Sequence, residues 1–515
     1  MGAPQLAEVG TRKLEGRVAA IAARAALAAL AAAASGYAVA EEVEAPPGTE
    51  IVPHDPSVFG SDPAYEDLEY DFQRQLDIYG GKYSVQTPRP MLELGRELYT
   101  AGPFQPEQNF LGDLNPVAQS FYIYGDWRTA LAFNDNGKNE IGQVATRLNL
   151  DMDYRITATE RIHAFIGPLD QGGQFDRCEF FGPDENDCDI SADGNFDALF
   201  FEGDLGAITA GVTGEYQSWD LPFAFGLMPL LFQNGIWVED AFTGVAATIP
   251  AMNSPTLDIS NMDITFFAGF DKVTTPGIKD AFGKAADHGV NVYGVTAFIE
   301  TMRGYWEVGY GYSDADDGLS NQSYHNVTAA FSKRYGGWLS NSVRVIGNFG
   351  QDANAFGQKN ADGVMLLVEN SLITELPSTL IPYANFFLGI DKPQSLARAA
   401  GAGGILKNTG INFETDGLTG FPKLDDTGND AFGGALGIQY LFNFDQQIVA
   451  EFATVQAIGG KNNPDRVAKG DEYAVGLRYQ LPLDKAWILR ADAMHGWRVR
   501  DDNLFGARLE IRRKF

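Results

Sequence analysis

From residue 119 onward the chain alternates between apolar and polar positions. In 119–134 the odd positions Phe121, Ile123, Trp127, Leu131 and Phe133 are apolar, and Tyr122, Tyr124, Asp126, Arg128 and Asn134 stand between them. The stretch 141–156 repeats the pattern. Leu148, Leu150, Met152, Tyr154 and Ile156 share one face, and Arg147, Asn149, Asp151, Asp153 and Arg155 share the other. Successive side chains of a strand point to opposite faces, so a period of two predicts strands with one apolar and one polar face. Comparable segments follow at 290–300, 339–350, 472–481 and 504–515.

A soluble sandwich alternates in the same way, and segment length separates the two cases. Soluble strands run about five or six residues, whereas a tilted membrane-spanning strand needs about nine to eleven. The connections give a second test. Short ones fall near 157–160, 202–205, 301–303, 335–338, 375–378, 443–445 and 482–485. Longer ones near 170–195, 274–289, 313–323, 351–362, 391–430 and 459–470 interleave with them. Short turns at one end and long loops at the other are the arrangement of a membrane barrel. The predicted fold is therefore all-β, a transmembrane antiparallel β-barrel over residues 117–515 with about 18 strands. An even count puts both ends of the barrel on one side. Pro222, Pro229, Pro250 and Pro255 interrupt the pattern between 213 and 261. A constriction loop folded into the lumen there would lower the count to 16.

The first 116 residues read differently. Arg12, Lys13, Arg17 and Arg24 precede or open an alanine-rich apolar run, and Ala38-Val39-Ala40 supplies small residues before Glu41. This is the pattern of a cleaved secretory signal peptide over residues 1–40. Residues 41–116 hold a proline-rich linker and two helix-like pieces, near 65–76 and 91–99, and are expected to form a periplasmic extension or a plug. Beyond residue 40 there is no apolar run of about 18 residues, so no transmembrane helix is expected.

Charge narrows the class. The 515 residues carry 38 Lys and Arg against 68 Asp and Glu, a formal net charge of −30. Removing residues 1–40 takes four basic and two acidic residues with it, leaving 34 against 66 and a net charge near −32. Nucleic acid is excluded as a partner, because phosphates require a basic face.

Candidate chemistry is sparse. The two cysteines, Cys178 and Cys188, form no Cys-x-x-Cys-His haem motif. An exported protein meets oxidising conditions, so a disulfide closing a small loop is expected. Asp184, Glu185, Asp187 and Asp189 nearby match no calcium-loop signature and read as a solvated acidic loop. The five histidines, His54, His163, His288, His325 and His495, form no zinc motif, and no serine is flanked by glycines as in a nucleophile elbow. Neither catalysis nor a cofactor nor a metal site is expected.

A Lys or Arg on the lipid face near mid-membrane costs roughly 2–4 kcal/mol, so the charged faces should point inward. The predicted pore-lining residues are Asp126, Arg128, Arg147, Asp151, Asp153, Arg155, Arg161, Arg303, Glu307, Arg344, Arg478, Arg490, Asp492 and Arg508. Two readings stay open for them. They set up a field favouring polar or charged solutes, or they pair off and brace a packed lumen. Asp314, Asp316, Asp317, Asp425, Asp426 and Asp430 are expected on the outer loops, as a negative mouth.

The final segment places Phe505, Ala507, Leu509, Ile511, Arg513 and Phe515 on one face and Gly506, Arg508, Glu510, Arg512 and Lys514 on the other. It resembles the assembly signal of bacterial outer-membrane barrels, with Arg513 departing from an otherwise apolar face. With the long strands and alternating loops, the chain resembles a large porin of the 18-stranded class that includes alginate-export-type porins. The resemblance implies a Gram-negative outer membrane, contact with its lipid, and delivery by the barrel-assembly machinery through the strand ending at Phe515. It implies diffusion of small hydrophilic or charged solutes, with a homo-oligomer or a periplasmic partner left open. The rivals are a sheath around an inserted electron-carrying cytochrome, a polymer-export outlet, and a soluble extracellular adhesive protein.

Overall fold

The computed structural model describes residues 88–95, 98 and 111–515, apart from 172–173, 281, 287, 317, 355, 377–378, 415–416, 443–445, 460–465 and 467–469. Residues 1–40, the expected signal peptide, and most of 41–116 lie outside the described residues.

Eighteen strands form the wall. The first six are β1 (Ser120–Asp135), β2 (Glu140–Arg155), β3 (Arg161–Ile166), β4 (Phe196–Asp204), β5 (Pro222–Phe232) and β6 (Val238–Ser254). The next six are β7 (Ile259–Asp271), β8 (Val290–Thr301), β9 (Gly304–Ala315), β10 (Tyr324–Tyr335), β11 (Leu339–Phe349) and β12 (Asp362–Leu372). The last six are β13 (Leu380–Lys392), β14 (Ala431–Phe442), β15 (Gln446–Ala457), β16 (Glu472–Pro482), β17 (Trp487–Arg498) and β18 (Leu504–Lys514). Each pairs antiparallel with the next, and β1 pairs with β18 from Asp126↔Lys514 to Asp135↔Phe505, which closes the barrel. Closure leaves no open sheet edge in the hydrocarbon, where an unpaired backbone group would be costly.

The two faces separate as alternation requires. On β1, Trp127 and Leu131 are exposed on the outside, while Tyr122, Asp126, Ala130 and Asn134 are buried inside. Val245, Phe266, Val345, Phe386, Leu436 and Leu509 continue the exposed apolar belt around the wall. An apolar surface of this extent is a lipid-facing surface. Among the described residues, no helix is long and apolar enough to cross a membrane. Arg513, on the outer face near the end that carries both barrel termini, lies over the Trp487 ring at 5.5 Å. That is the amphipathic arrangement of a headgroup-level anchor.

At that same end the turns are mostly tight. Gly336 and Gly337 both take positive φ between β10 and β11, the backbone a two-residue hairpin turn demands. The turn after β2 is organised by Glu160. Its carboxylate accepts from Thr157 Oγ1 (2.5 Å), Thr159 Oγ1 (2.7 Å) and Asn115 Nδ2 (2.7 Å). Burial works to raise the Glu160 pKa, but these hydrogen bonds outweigh it and hold the group below the usual carboxylate range.

The expected count of 18 holds, and three other expectations are corrected. Residues 213–261 hold no inward loop: β5 and β6 are wall strands, so the count is 18. Proline is tolerated there because Pro222 opens its strand, and Pro229 withholds only one ladder hydrogen bond. The connection expected at 202–205 is longer, because α1 (Leu205–Thr213) intervenes, capped by Asp204. The helix expected at 91–99 is instead a short strand, Leu92–Gly95, paired with Ser120–Ile123 of β1. It covers the part of β1 that extends past the end of β18, where open ladder groups outweigh local helix propensity.

The third correction decides the architecture of the lumen. The connection 393–430 between β13 and β14, expected as an outer loop, folds into the barrel. Leu406, Phe413 and Leu424 are buried in one apolar cluster with Met365, Phe387 and Met494 of the wall. Leu396 and Ala397 join a second cluster with Trp237 and Tyr324. The wall makes room with glycines: a Cβ on Gly309 would come within 2.7 Å of Trp237, and one on Gly311 within 2.2 Å of Leu396. Asp425 and Asp426, expected at an outer mouth, are buried accordingly.

Candidate functional site

The polar faces of β16, β17, β18, β1 and β2 form consecutive rungs across the lumen wall. Cross-strand register sets Arg478 opposite Asp492, and Asp492 opposite Arg508. Two residues along, Arg490 stands opposite Glu510. Two further, Arg512 stands opposite Arg128, and Arg128 opposite Arg147. Two residues of strand advance by about 6.6 Å, so these rungs offer cations at regular intervals along the barrel. The three rungs hold six arginines against two carboxylates.

Those carboxylates are heavily shared. Asp492 accepts from Arg478 Nε (2.7 Å), Arg490 Nε (2.9 Å) and Arg508 Nη2 (2.7 Å). Glu510 accepts from Arg128 through Nε (3.0 Å) and Nη2 (2.7 Å). Below them Asp126 pairs with Arg512 at 2.8 Å and accepts from Asn149 Nδ2 at 2.9 Å. Arg147 lies over the Phe175 ring at 4.8 Å, and its buried Nε has no hydrogen-bond partner among the described residues. Buried charges need partners, and one shared carboxylate cannot neutralise three guanidinium groups. The rungs by themselves carry excess positive charge, offset in part by Asp126 and, beside Arg147, by Asp170 and Asp197.

The inward segment closes on this wall from the other side. Thr419 O accepts from Asn134 Nδ2 and Gln143 Nε2, and Leu418 packs with Ala130, Ala145 and Phe175. Glu414 reaches Arg478 at 2.6 Å and Arg490 at 3.6 Å. Burial would raise the Glu414 pKa, but Arg478 and Arg490 outweigh it and keep the carboxylate below its usual range. The far end of the segment is anchored by Arg398. It ion-pairs with Glu239 at 3.1 Å, donates to Ser395 Oγ at 3.0 Å, and donates to the Gly235 carbonyl. Lys407 also pairs with Glu239. Midway, Glu451 of β15 accepts from the backbone N–H groups of Ile411 and Asn412, both at 2.9 Å.

Other predicted pore-lining residues fall into separate groups. Near the terminus end, Asp153 contacts Arg161 (3.3 Å), Arg155 (3.8 Å) and His163 (3.1 Å), and His163 also reaches Asp151 at 3.4 Å. Asp151, Asp153, Arg155 and Arg161 border a cavity of about 480 Å³ that Tyr124 and Phe515 also line. Arg344 is fully buried against Gln233 Oε1 (2.5 Å) and Glu307 (3.2 Å), bracing the tight connection between β5 and β6. Arg303 does not join the wall: it lies exposed in the turn between β8 and β9, where its φ of 55° belongs to the hairpin. Cys178 and Cys188 are disulfide-bonded within the connection from β3 to β4.

Sequence reasoning missed Glu414, Arg398 and Glu239 as site residues. The signal was present in 393–430, whose Leu396, Leu406, Phe413, Leu418 and Leu424 are too many large apolar residues for a solvated loop.

No family model and no curated relative matches this sequence. Its fold, a closed 18-stranded antiparallel β-barrel, is also that of solved porin structures. It is similar to Pseudomonas aeruginosa OccK1 (OpdK), with a TM-score of 0.51 and 11% identity over 77% of this chain and 98% of that one. A second structure, of Pseudomonas aeruginosa OpdK with vanillate, gives a TM-score of 0.50 at 11% identity over the same shares.

Proposed function

We propose that this chain is an outer-membrane channel that passes small hydrophilic solutes by diffusion, with a preference for small carboxylates. Residues 1–40 would direct export and be removed, and the exposed apolar belt would face the lipid. The observation that carries the reading is the run of arginine rungs from Arg478 to Arg147 beside an inward segment that narrows the lumen. Charges at a constriction act on a permeating ion at short range and with little screening, whereas mouth charges fade within about 8 Å at physiological salt. Asp425 and Asp426 add little at the mouth, because both are buried. Arginine suits a carboxylate particularly, since its planar fork matches two oxygens. OpdK was crystallised with vanillate, a small carboxylate. The sheath reading is disfavoured by 393–430, which crosses the space an inserted protein would need.

Reversal potentials in a potassium chloride gradient test the proposal on refolded protein in planar bilayers. The wild type should be weakly anion-selective, and Arg128→Gln with Arg147→Gln should move it toward cations. A reversal potential unmoved by both substitutions would remove these side chains from the open path.

A further inference from the structure

The wall and the inward segment contribute carboxylates of different kinds to the rungs. Asp492 and Glu510 stand on strands, with side chains only 4% and 3% exposed, and serve as fixed counterions of the arginines they touch. Glu414 belongs to the inward segment, and its side chain is 35% exposed to the lumen. It binds the rungs on a separate edge. Arg478 and Arg490 give their Nε groups to Asp492 and turn their terminal nitrogens to Glu414. Two guanidinium groups thus meet the two oxygens of one carboxylate that faces open space.

We infer that Glu414 is the specificity-determining residue of the channel, a tethered carboxylate filling the seat that Arg478 and Arg490 present to a solute carboxylate. The inference rests on the carboxylate-channel reading above. A solute carboxylate replaces Glu414 like for like, because it too offers one oxygen to each guanidinium. Chloride cannot bridge the pair and gains less from the exchange. Glu414 therefore lowers the affinity of the rungs for every anion, and it is displaced most readily by forked ones. Transit benefits, since a site must release what it binds.

The test uses the full-length protein in planar bilayers, with benzoate added to potassium chloride as the probe. Benzoate should interrupt the wild-type current. In Glu414→Gln its apparent affinity should rise about tenfold, the loss of one charge-assisted competitor, and the reversal potential should shift toward anions. Glu414→Asp, one methylene shorter, should fall between the two, and unchanged heat-modifiable mobility on gels should confirm that each variant folds. Arg478→Gln with Arg490→Gln should abolish the benzoate response. If Glu414→Gln keeps wild-type benzoate affinity and reversal potential while the arginine variant loses its response, the inference is overturned and the channel reading stands. If benzoate acts on no variant and Arg128→Gln is also silent, the channel reading itself fails and the inference falls with it.

Discussion

Arg128 of β1 donates two hydrogen bonds to Glu510 of β18, joining residues 382 positions apart across the seam that closes the barrel. Their side chains are largely buried, so removing one partner leaves an uncompensated charge. Arg128→Met and Glu510→Leu should each lower stability by roughly 3 kcal/mol, whereas the two together should recover most of the loss. Urea unfolding of the four proteins in detergent micelles completes the cycle. Additive losses would show that the pair is not coupled.

The lipid face can be tested beside its own neighbour. Leu436 is exposed on the outside of β14, and Gln439 lies on the inner face of the same strand. Leu436→Arg should cost roughly 2–4 kcal/mol or block insertion, while Gln439→Arg should refold at the wild-type yield. Equal yields into phosphatidylcholine vesicles would reverse the assigned faces.

Arg398 ties the inward segment to β6 through Glu239. Arg398→Ala should free that end of 393–430 without opening the wall, giving a larger and noisier single-channel conductance. An unchanged conductance would mean that the apolar contacts of Leu406 and Phe413 hold the segment alone.

The Cys178–Cys188 bond closes a hairpin whose first strand, Gln174–Phe181, pairs with Gly142–Thr146 of β2 alone among the wall strands, so its loss should be felt at that rim of the barrel. Both thiols should resist alkylation in protein isolated without reductant. Cys178→Ser with Cys188→Ser should speed proteolysis within 167–195 and leave the barrel transition in place. A large drop in that transition would show that the hairpin supports the wall.

Glu160 gives a pH signature. Its folded pKa lies below the ordinary carboxylate value, so its contribution is fully present above the unfolded pKa and is lost as pH falls through the folded one. Glu160→Gln should therefore be less stable than wild type at pH 7, and the gap should shrink as the pH approaches 3. A constant gap across urea midpoints from pH 3 to 7 would assign the loss to packing instead.

Legibility in the sequence followed the physics of each feature. The period of two on β1 and β2 exposes the faces directly, because the same alternation that solvates one side keeps the other in lipid. Turn and loop lengths recover the strand count for the same reason. Residues 393–430 were illegible because a connection folds inward only if distant wall residues receive it. Gly309, Gly311 and Glu239 do so here from β9 and β6, and no local window contains both sides. The short strand Leu92–Gly95 was misread as helix because Leu92, Leu94 and Leu98 suit either element, and only the uncovered edge of β1 decides.

The inward segment also bears on how the chain folds. Arg398 meets Glu239 across 159 residues, and the seam pair spans more than twice that. Contacts of such sequence separation reward the chain only after long loops have closed, which slows folding. The segment has no packed surface until strands on both sides of it stand in place, so lumen packing and barrel closure should complete together as one late, cooperative step.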